Sequence, residues 1–314
     1  MVTLGLLIII ASGAVGALFS LGYKFNGLKP ATTVLLLMLM SAISALLSIG
    51  GMAAFGEWGV TRAALVAGVP QGASFFAAVY LFVFVTRRSR LNVSWTIIQF
   101  SVVVPFLASL LIYHEQVTLR GVAGVAAIFA AIVLFGCGHS SSSSTLEESD
   151  RWIIVLLVLS TFFSGVSNTM SKVYTAMDSA AQPFPMMLVA NVTVVALSLA
   201  VAAFRLIPAR ARRARITTPA AGSQAAAPAP AWTMSWTGIA VASWMAVMQL
   251  AGTALLIVAL ADLPGTVAYP VRVVMNIIGV LFFSRVLFDE RLKRVEWAGA
   301  AVALAGVALV ASSA

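Results

Sequence analysis

The chain has 314 residues, 61% of them hydrophobic and only 9% charged, with a mean hydropathy of +1.03 and a net charge of +9. A soluble domain carries about 25% charged residues, so a water-soluble enzyme, a disordered chain and a fibrous protein are excluded, and lipid is the solvent for most of this sequence. Cys137 is the single cysteine, which excludes an intramolecular disulfide and a thiolate metal cluster.

A membrane-crossing helix takes about 20 mostly apolar residues. Charges, glycines and prolines delimit ten such runs, at residues 3–23, 32–54, 63–86, 92–113, 118–138, 152–174, 184–204, 236–261, 265–286 and 296–313. The runs are continuous and rich in Leu, Val and Ala, unlike the alternating ten-residue strands of a barrel. The predicted class is an all-α membrane protein, with ten transmembrane helices in two inverted five-helix repeats. Residues 139–150, with serines at 140–144 followed by Glu147, Glu148 and Asp150, form a polar linker between a first unit (1–138) and a second (151–314). Residues 206–231 are Arg-rich and then Ala/Pro/Gly-rich, and read as a flexible loop that builds no core.

The five-plus-five division is matched by repeated punctuation. Glu115 lies nine residues before Gly124, and Glu290 nine before Gly299, an offset of 175. Near the start of each half Tyr23-Lys24 resembles Ser171-Lys172, an offset of 148. The offsets differ by 27 residues, about the size of the Ala/Pro/Arg loop, so one insertion accounts for both registers. An odd number of spans per repeat turns the second half upside down. Charge agrees: Arg87, Arg88 and Arg90 lie between spans 3 and 4, while the equivalent Asp262-Leu263-Pro264-Gly265 has no cation. Odd-numbered loops hold most of the cations, and the positive-inside rule then puts them in the cytoplasm and both termini outside. Five of those cations, Arg205, Arg210, Arg212, Arg213 and Arg215, crowd one segment; they read as topology-setting charge, and no nucleic-acid partner is expected.

Ten spans, two five-helix repeats and a Glu-bearing loop entering a Gly/Ala-rich fifth helix resemble the EamA-like branch of the drug/metabolite transporter superfamily. The resemblance is carried by residues 115–136 and 290–310, by Pro105 in span 4, and by Lys24 and Lys172 closing spans 1 and 6. It covers nearly the whole chain. It implies a multi-pass carrier in the cell membrane, with a central cavity between the halves for a metabolite, amino acid, sugar or drug. Members of that family commonly keep both termini in the cytoplasm, opposite to the charge count.

Polar residues inside membrane helices are costly and therefore informative. Span 6 carries Ser160, Ser164, Ser167, Asn168 and Ser171 on one stripe. The serines are expected to pack helices closely and bond the carbonyl four residues back; Asn168 needs partners in the other repeat or in a wet cavity. Span 9 puts Tyr269, Arg272, Asn276 and Gly279 on one face beside Pro270, which frees a backbone carbonyl. Arg272 lies about 10 Å into the helix at 1.5 Å per residue. It either snorkels to the surface or binds substrate. All ten acids lie at or outside span ends, so no buried carboxylate is expected to neutralise it.

The expected substrate is therefore a small metabolite whose carboxylate pairs with Arg272, anionic or zwitterionic, with export the expected direction and proton or ion coupling left open. The predicted substrate-binding residues are Arg272, Tyr269, Asn276, Asn168, Gln71, Gln99 and Gln249, with Ser74, Asn191 and Thr253 as further candidates. Trp95 and Trp244 either stack on substrate or simply pack, and Trp58, Trp152, Trp236 and Trp297 read as interfacial anchors. An exporter of organic cations is the alternative, and a channel or a membrane-embedded transferase is a weaker one. No catalytic residue, metal or cofactor is expected, because His114-Glu115 has Thr118 where a zinc helix needs its second histidine. A monomer or homodimer is expected.

Overall fold

In the computed structural model the described residues are 2–26, 30–56, 58–86, 98–139, 151–178, 182–216, 235–288 and 294–312. They form ten α-helices, with no strand among them. In chain order these are α1 (Val2–Asn26), α2 (Pro30–Ala54), α3 (Arg62–Thr86), α4 (Val103–Leu111, entered through a 3₁₀ turn at Phe100–Val102), α5 (Leu119–His139), α6 (Arg151–Met177), α7 (Pro183–Ile216), α8 (Trp236–Asp262), α9 (Gly265–Phe288) and α10 (Arg294–Ala311).

Eight of these helices are long and apolar enough to cross a membrane; Phe100–Leu111 and Leu119–Leu134 are shorter apolar helices. The architecture is that of an all-α, multi-pass membrane protein. Its surface shows the same solvent: Leu7, Leu46, Leu65, Val133 and Leu199 are exposed on helix faces that would be charged in water. Trp58, Trp152, Trp236 and Trp297 are all exposed at helix ends, as anchors at an interface would be.

Helix starts are set by local chemistry. Thr61 Oγ1 accepts from the Ala64 N–H, Thr118 Oγ1 from the Gly121 N–H and Ser235 Oγ from the Gly238 N–H, each satisfying a donor that the first turn leaves unpaired. Thr118, in the position where a zinc helix would have histidine, is thus the cap of α5. One expected boundary moves. α7 runs on to Ile216, so residues 206–216 of the expected flexible loop are helical; alanine and arginine are good helix formers, and no β-branched or Gly/Pro pair interrupts 209–215. The first part of expected span 4, with Trp95, the 140–150 linker, residues 217–231 and Glu290 lie outside the described residues.

Packing follows a regular plan. α1 packs on α8 and α9, α2 on α7 and α8, α3 on α6 and α7, and α4 on α6 and α9. α5 and α10 pack mainly on each other. There Gly124 and Gly306 each face the other's carbonyl oxygen so closely that a Cβ would have to displace it. Three apolar clusters result: around Ile128, Leu256 and Val271, around Leu37, Phe82 and Met245, and around Ala64, Tyr174 and Met186. The space left between α1, α3, α4, α6, α7, α8 and α9 is the cavity described next.

Candidate functional site

The cavity has a volume of about 220 Å³ and is lined by residues of both halves of the chain. Arg272 and Asn276 enter from α9, Asn168 and Ser164 from α6, Gln71 and Phe75 from α3, Gln249 and Thr253 from α8, Asn191 from α7 and Gln99 from the turn before α4. Phe19 and Tyr23 of α1 and Phe82 of α3 form its aromatic side. Among the described lining residues, Arg272 is the one that carries a charge.

Arg272 does not reach for the surface. Its Nη1 donates to Asn168 Oδ1 at 3.0 Å, across the space between α9 and α6. Asn168 Nδ2 in turn donates to the Ser164 carbonyl at 3.1 Å, so the amide that needed partners has both. Pairing a guanidinium with a neutral amide rather than a carboxylate leaves its positive charge uncompensated and able to attract an anion.

Six of the seven predicted binding residues line the cavity: Arg272, Asn276, Asn168, Gln71, Gln99 and Gln249. Tyr269 does not. It is buried, and its hydroxyl donates to the Asn168 backbone carbonyl at 3.0 Å, so it braces α6 against α9. Asn191 and Thr253 also line the cavity and Ser74 does not. Trp244 is outside the cavity lining and partly exposed on α8, with Nε1 donating to the Leu18 carbonyl at 3.2 Å. Two hydroxyls of the α6 serine stripe bond across the interface, while the buried Ser171 hydroxyl has no hydrogen-bond partner among the described residues. Ser160 donates to the Ala78 carbonyl at 2.8 Å and Ser167 to the Gln71 carbonyl at 3.3 Å, both on α3.

The carboxamides are unevenly satisfied. Asn191 Nδ2 donates to the Met187 carbonyl at 2.8 Å. The oxygens of Gln71, Asn191, Gln249 and Asn276 are buried and have no hydrogen-bond donor among the described residues. A buried acceptor left unpaired costs about 1–3 kcal/mol. All four belong to residues that line one cavity, and a turn of the side chain would present each oxygen to a ligand's N–H or O–H groups or to water.

The sequence also hid an acid. Glu115 sits between α4 and α5 as expected, but it turns inward, with a side chain only 12% exposed. His114 adopts a left-handed φ of 51° that ends α4. The Glu115 N–H then donates back to the Ser109 carbonyl at 3.1 Å. The carboxylate accepts the Gly265 N–H on Oε1 at 3.0 Å and the Thr266 N–H on Oε2 at 2.9 Å, capping α9. Its Oε1 also pairs with Lys172 Nζ of α6 at 2.7 Å. Partial burial pushes the Glu115 carboxyl up, but the Lys172 ammonium and the two backbone N–H groups outweigh it and hold the carboxyl below its usual range. Lys172 Nζ lies 5.8 Å from the Tyr113 ring centroid, and burial, with Glu115 beside it, pushes the Tyr113 phenol up. The acid absent from the expected site is therefore present nearby, paired with Lys172 and not with Arg272.

No protein-family model and no curated protein matches the chain. A solved crystal structure, described only as that of a protein, shares its fold with a TM-score of 0.69 at 12% identity, over 98% of this chain and 96% of that one. At that identity the likeness speaks to the fold alone.

Proposed function

We propose that this chain is a secondary carrier of the EamA-like branch of the drug/metabolite transporter superfamily. It resides in the cell membrane and exports a small anionic or zwitterionic metabolite by alternating access. The observation that carries this reading is the cavity itself: enclosed by helices of both halves, lined by carboxamides, with a single guanidinium held by a neutral partner.

The contacts between helices support the inverted repeat on which alternating access depends. Ser12 of α1 donates to the Gly252 carbonyl of α8 at 2.7 Å, and Ser160 of α6 donates to the Ala78 carbonyl of α3. The two serines are 148 residues apart, the offset of Lys24 and Lys172, and the two acceptors 174 apart, within one residue of the Glu115–Glu290 offset. Likewise Gly165 faces Val104 and Gly279 faces Ala17, pairs related by the same 148 and 175 residues. Exchanging the halves turns α1·α8 into α6·α3 and α2·α8 into α7·α3, as a two-fold axis between the repeats requires. In this reading α4 and α5 also cross the bilayer, giving ten spans.

Arg272 favours a carboxylate or phosphate over an organic cation, and the unpaired carboxamide oxygens favour a ligand that also bears donors. A thermal-shift screen of small carboxylates, phosphates and zwitterions on the purified protein tests this. A ligand at 100 times its Kd stabilises the folded protein by about 2.7 kcal/mol. That ligand should be transported by proteoliposomes containing the wild type and not by those containing Arg272→Ala. Normal transport by a folded Arg272→Ala protein overturns the assignment.

A further inference from the structure

We propose that Glu115 and Lys172 form a releasable lock that seals one end of the cavity, and that its opening lets the cavity reach that side of the membrane. The proposal rests on the carrier reading above. The lock joins three separate segments: the α4–α5 connection through Glu115, the C-terminal part of α6 through Lys172, and the first turn of α9 through the Gly265 and Thr266 N–H groups.

Its position relative to the cavity is fixed by helix geometry. Lys172 is four residues beyond Asn168 on α6, and Thr266 is six before Arg272 on α9, about 6 and 9 Å along their helices. Asn168 and Arg272 line the cavity, whereas Lys172, Thr266 and Tyr269 do not. The lining therefore stops at the Arg272–Asn168 pair, with the Tyr269 bond to the Asn168 carbonyl above it and the ion pair above that. Away from the lock the cavity continues along α1 and α3 to Tyr23 and Phe82, close to the far ends of those helices.

The chemistry of this seal differs from the rest of the packing. α5 and α10 meet backbone to backbone at Gly124 and Gly306, a close van der Waals contact with no group in it that water could rehydrate on parting. The lock is two long side chains and two helix-end N–H groups. Water can rehydrate all of these when they separate, and the Coulomb energy lost is largely offset by recovered hydration. Such a contact can be made and broken in every cycle. Asn168 connects it to the substrate: an anion that takes the Arg272 guanidinium competes with Asn168 Oδ1, and Lys172 lies one turn further along the same helix.

The test uses the full chain, with Cys137→Ser as background and Ser164→Cys as a reporter in the cavity, in sealed vesicles of both orientations. The rate of labelling by a membrane-impermeant maleimide is measured from each side. Breaking the lock with Glu115→Gln should raise the rate from the Glu115 side about tenfold relative to the other side, the shift that about 1.4 kcal/mol gives. Lys172→Gln, which keeps the α9 cap, should shift the ratio in the same direction, and serves alone if the Glu115 variant does not fold. Lys172→Arg, which keeps the charge, should stay within about twofold of the parent. A merely structural pair would lower Tm without changing the ratio. If the parent labels from both sides and neither Gln variant changes the ratio, the lock is wrong and the carrier reading stands. If the parent and every variant label from one side only, both are wrong.

Discussion

The two ends of the cavity are built from different chemistry. Towards Gly265 the chain concentrates two adjacent sets of polar contacts, one joining Arg272, Asn168 and Tyr269 and the other joining Glu115, Lys172 and the start of α9. Towards the far ends of α1 and α3 the lining turns to Phe19, Tyr23, Phe75 and Phe82, with Phe19 edge-on to Tyr23 at 5.4 Å between centroids. By the offsets of 148 and 175, Asn168 corresponds to Ser20 and Arg272 to Ile97, neither of which is charged. On the proposed inverted repeat the helices recur around the cavity and the charge does not, so the one guanidinium among the described lining residues would give a ligand a single polarity in the site.

That contrast can be broken at its polar end most severely through Arg272. Arg272→Ala should abolish transport and lower affinity for an anionic ligand about 100-fold, consistent with a charged hydrogen bond worth about 1.5–3 kcal/mol. It should still fold, because the neutral Asn168 is left behind and not a buried acid. Arg272→Lys should fall between the two, keeping charge but losing the bidentate fork; binding and Tm measured side by side separate these outcomes.

Glu115→Ala should have the next largest effect, and on stability. It leaves Lys172 and two α9 N–H groups without their partner, a loss of about 2–3 kcal/mol in chemical or thermal unfolding. The pH dependence has a definite sign. The folded carboxyl lies below its ordinary value of 4.5, so its contribution is complete above that value and is lost as pH falls through the lower, folded one. Wild-type Tm should therefore drop on acidification below about pH 4.5 more steeply than that of Glu115→Gln.

Asn168→Asp sharpens the comparison by giving Arg272 the acid it lacks. An aspartate competing for the guanidinium should weaken an anionic ligand about tenfold and raise Tm, and equilibrium binding would show it. Gln249→Ala should have the smallest effect, a two- to tenfold loss of affinity in the same assay, about the 0.5–1.5 kcal/mol of one neutral hydrogen bond. An equal loss at Phe82→Ala for every ligand tested would mean that the aromatic end, not the polar one, supplies most of the binding.

How legible all this was in the sequence varied with range. Apolar runs separated by charges give the helices directly, because a bilayer demands about 20 apolar residues and internal backbone hydrogen bonds. The depth of Arg272 and its shared face with Asn276 follow from helical periodicity alone, and so does the candidacy of Asn168, an amide too costly to bury unpaired. Tyr269 sits on that same face, yet tertiary packing turns it onto the Asn168 carbonyl, because periodicity gives a direction around one helix and not the neighbour that fills it. Ser160 and Ser167 likewise bond to α3 and not within α6, for the same reason.

Glu115 marks the limit most clearly. The sequence by itself determined that it precedes α5, that a similar acid recurs 175 residues later, and that Lys172 lies in the last part of α6. Only the tertiary structure decided that these distant segments meet over the start of α9. A side chain at a helix end can face water or a neighbour, and the choice depends on how α4, α6 and α9 cross. How these helices sit is set by close contacts such as Gly165 of α6 against Val104 of α4 and Gly279 of α9 against Ala17 of α1, each a matter of shape between residues far apart in the chain, which no local pattern encodes.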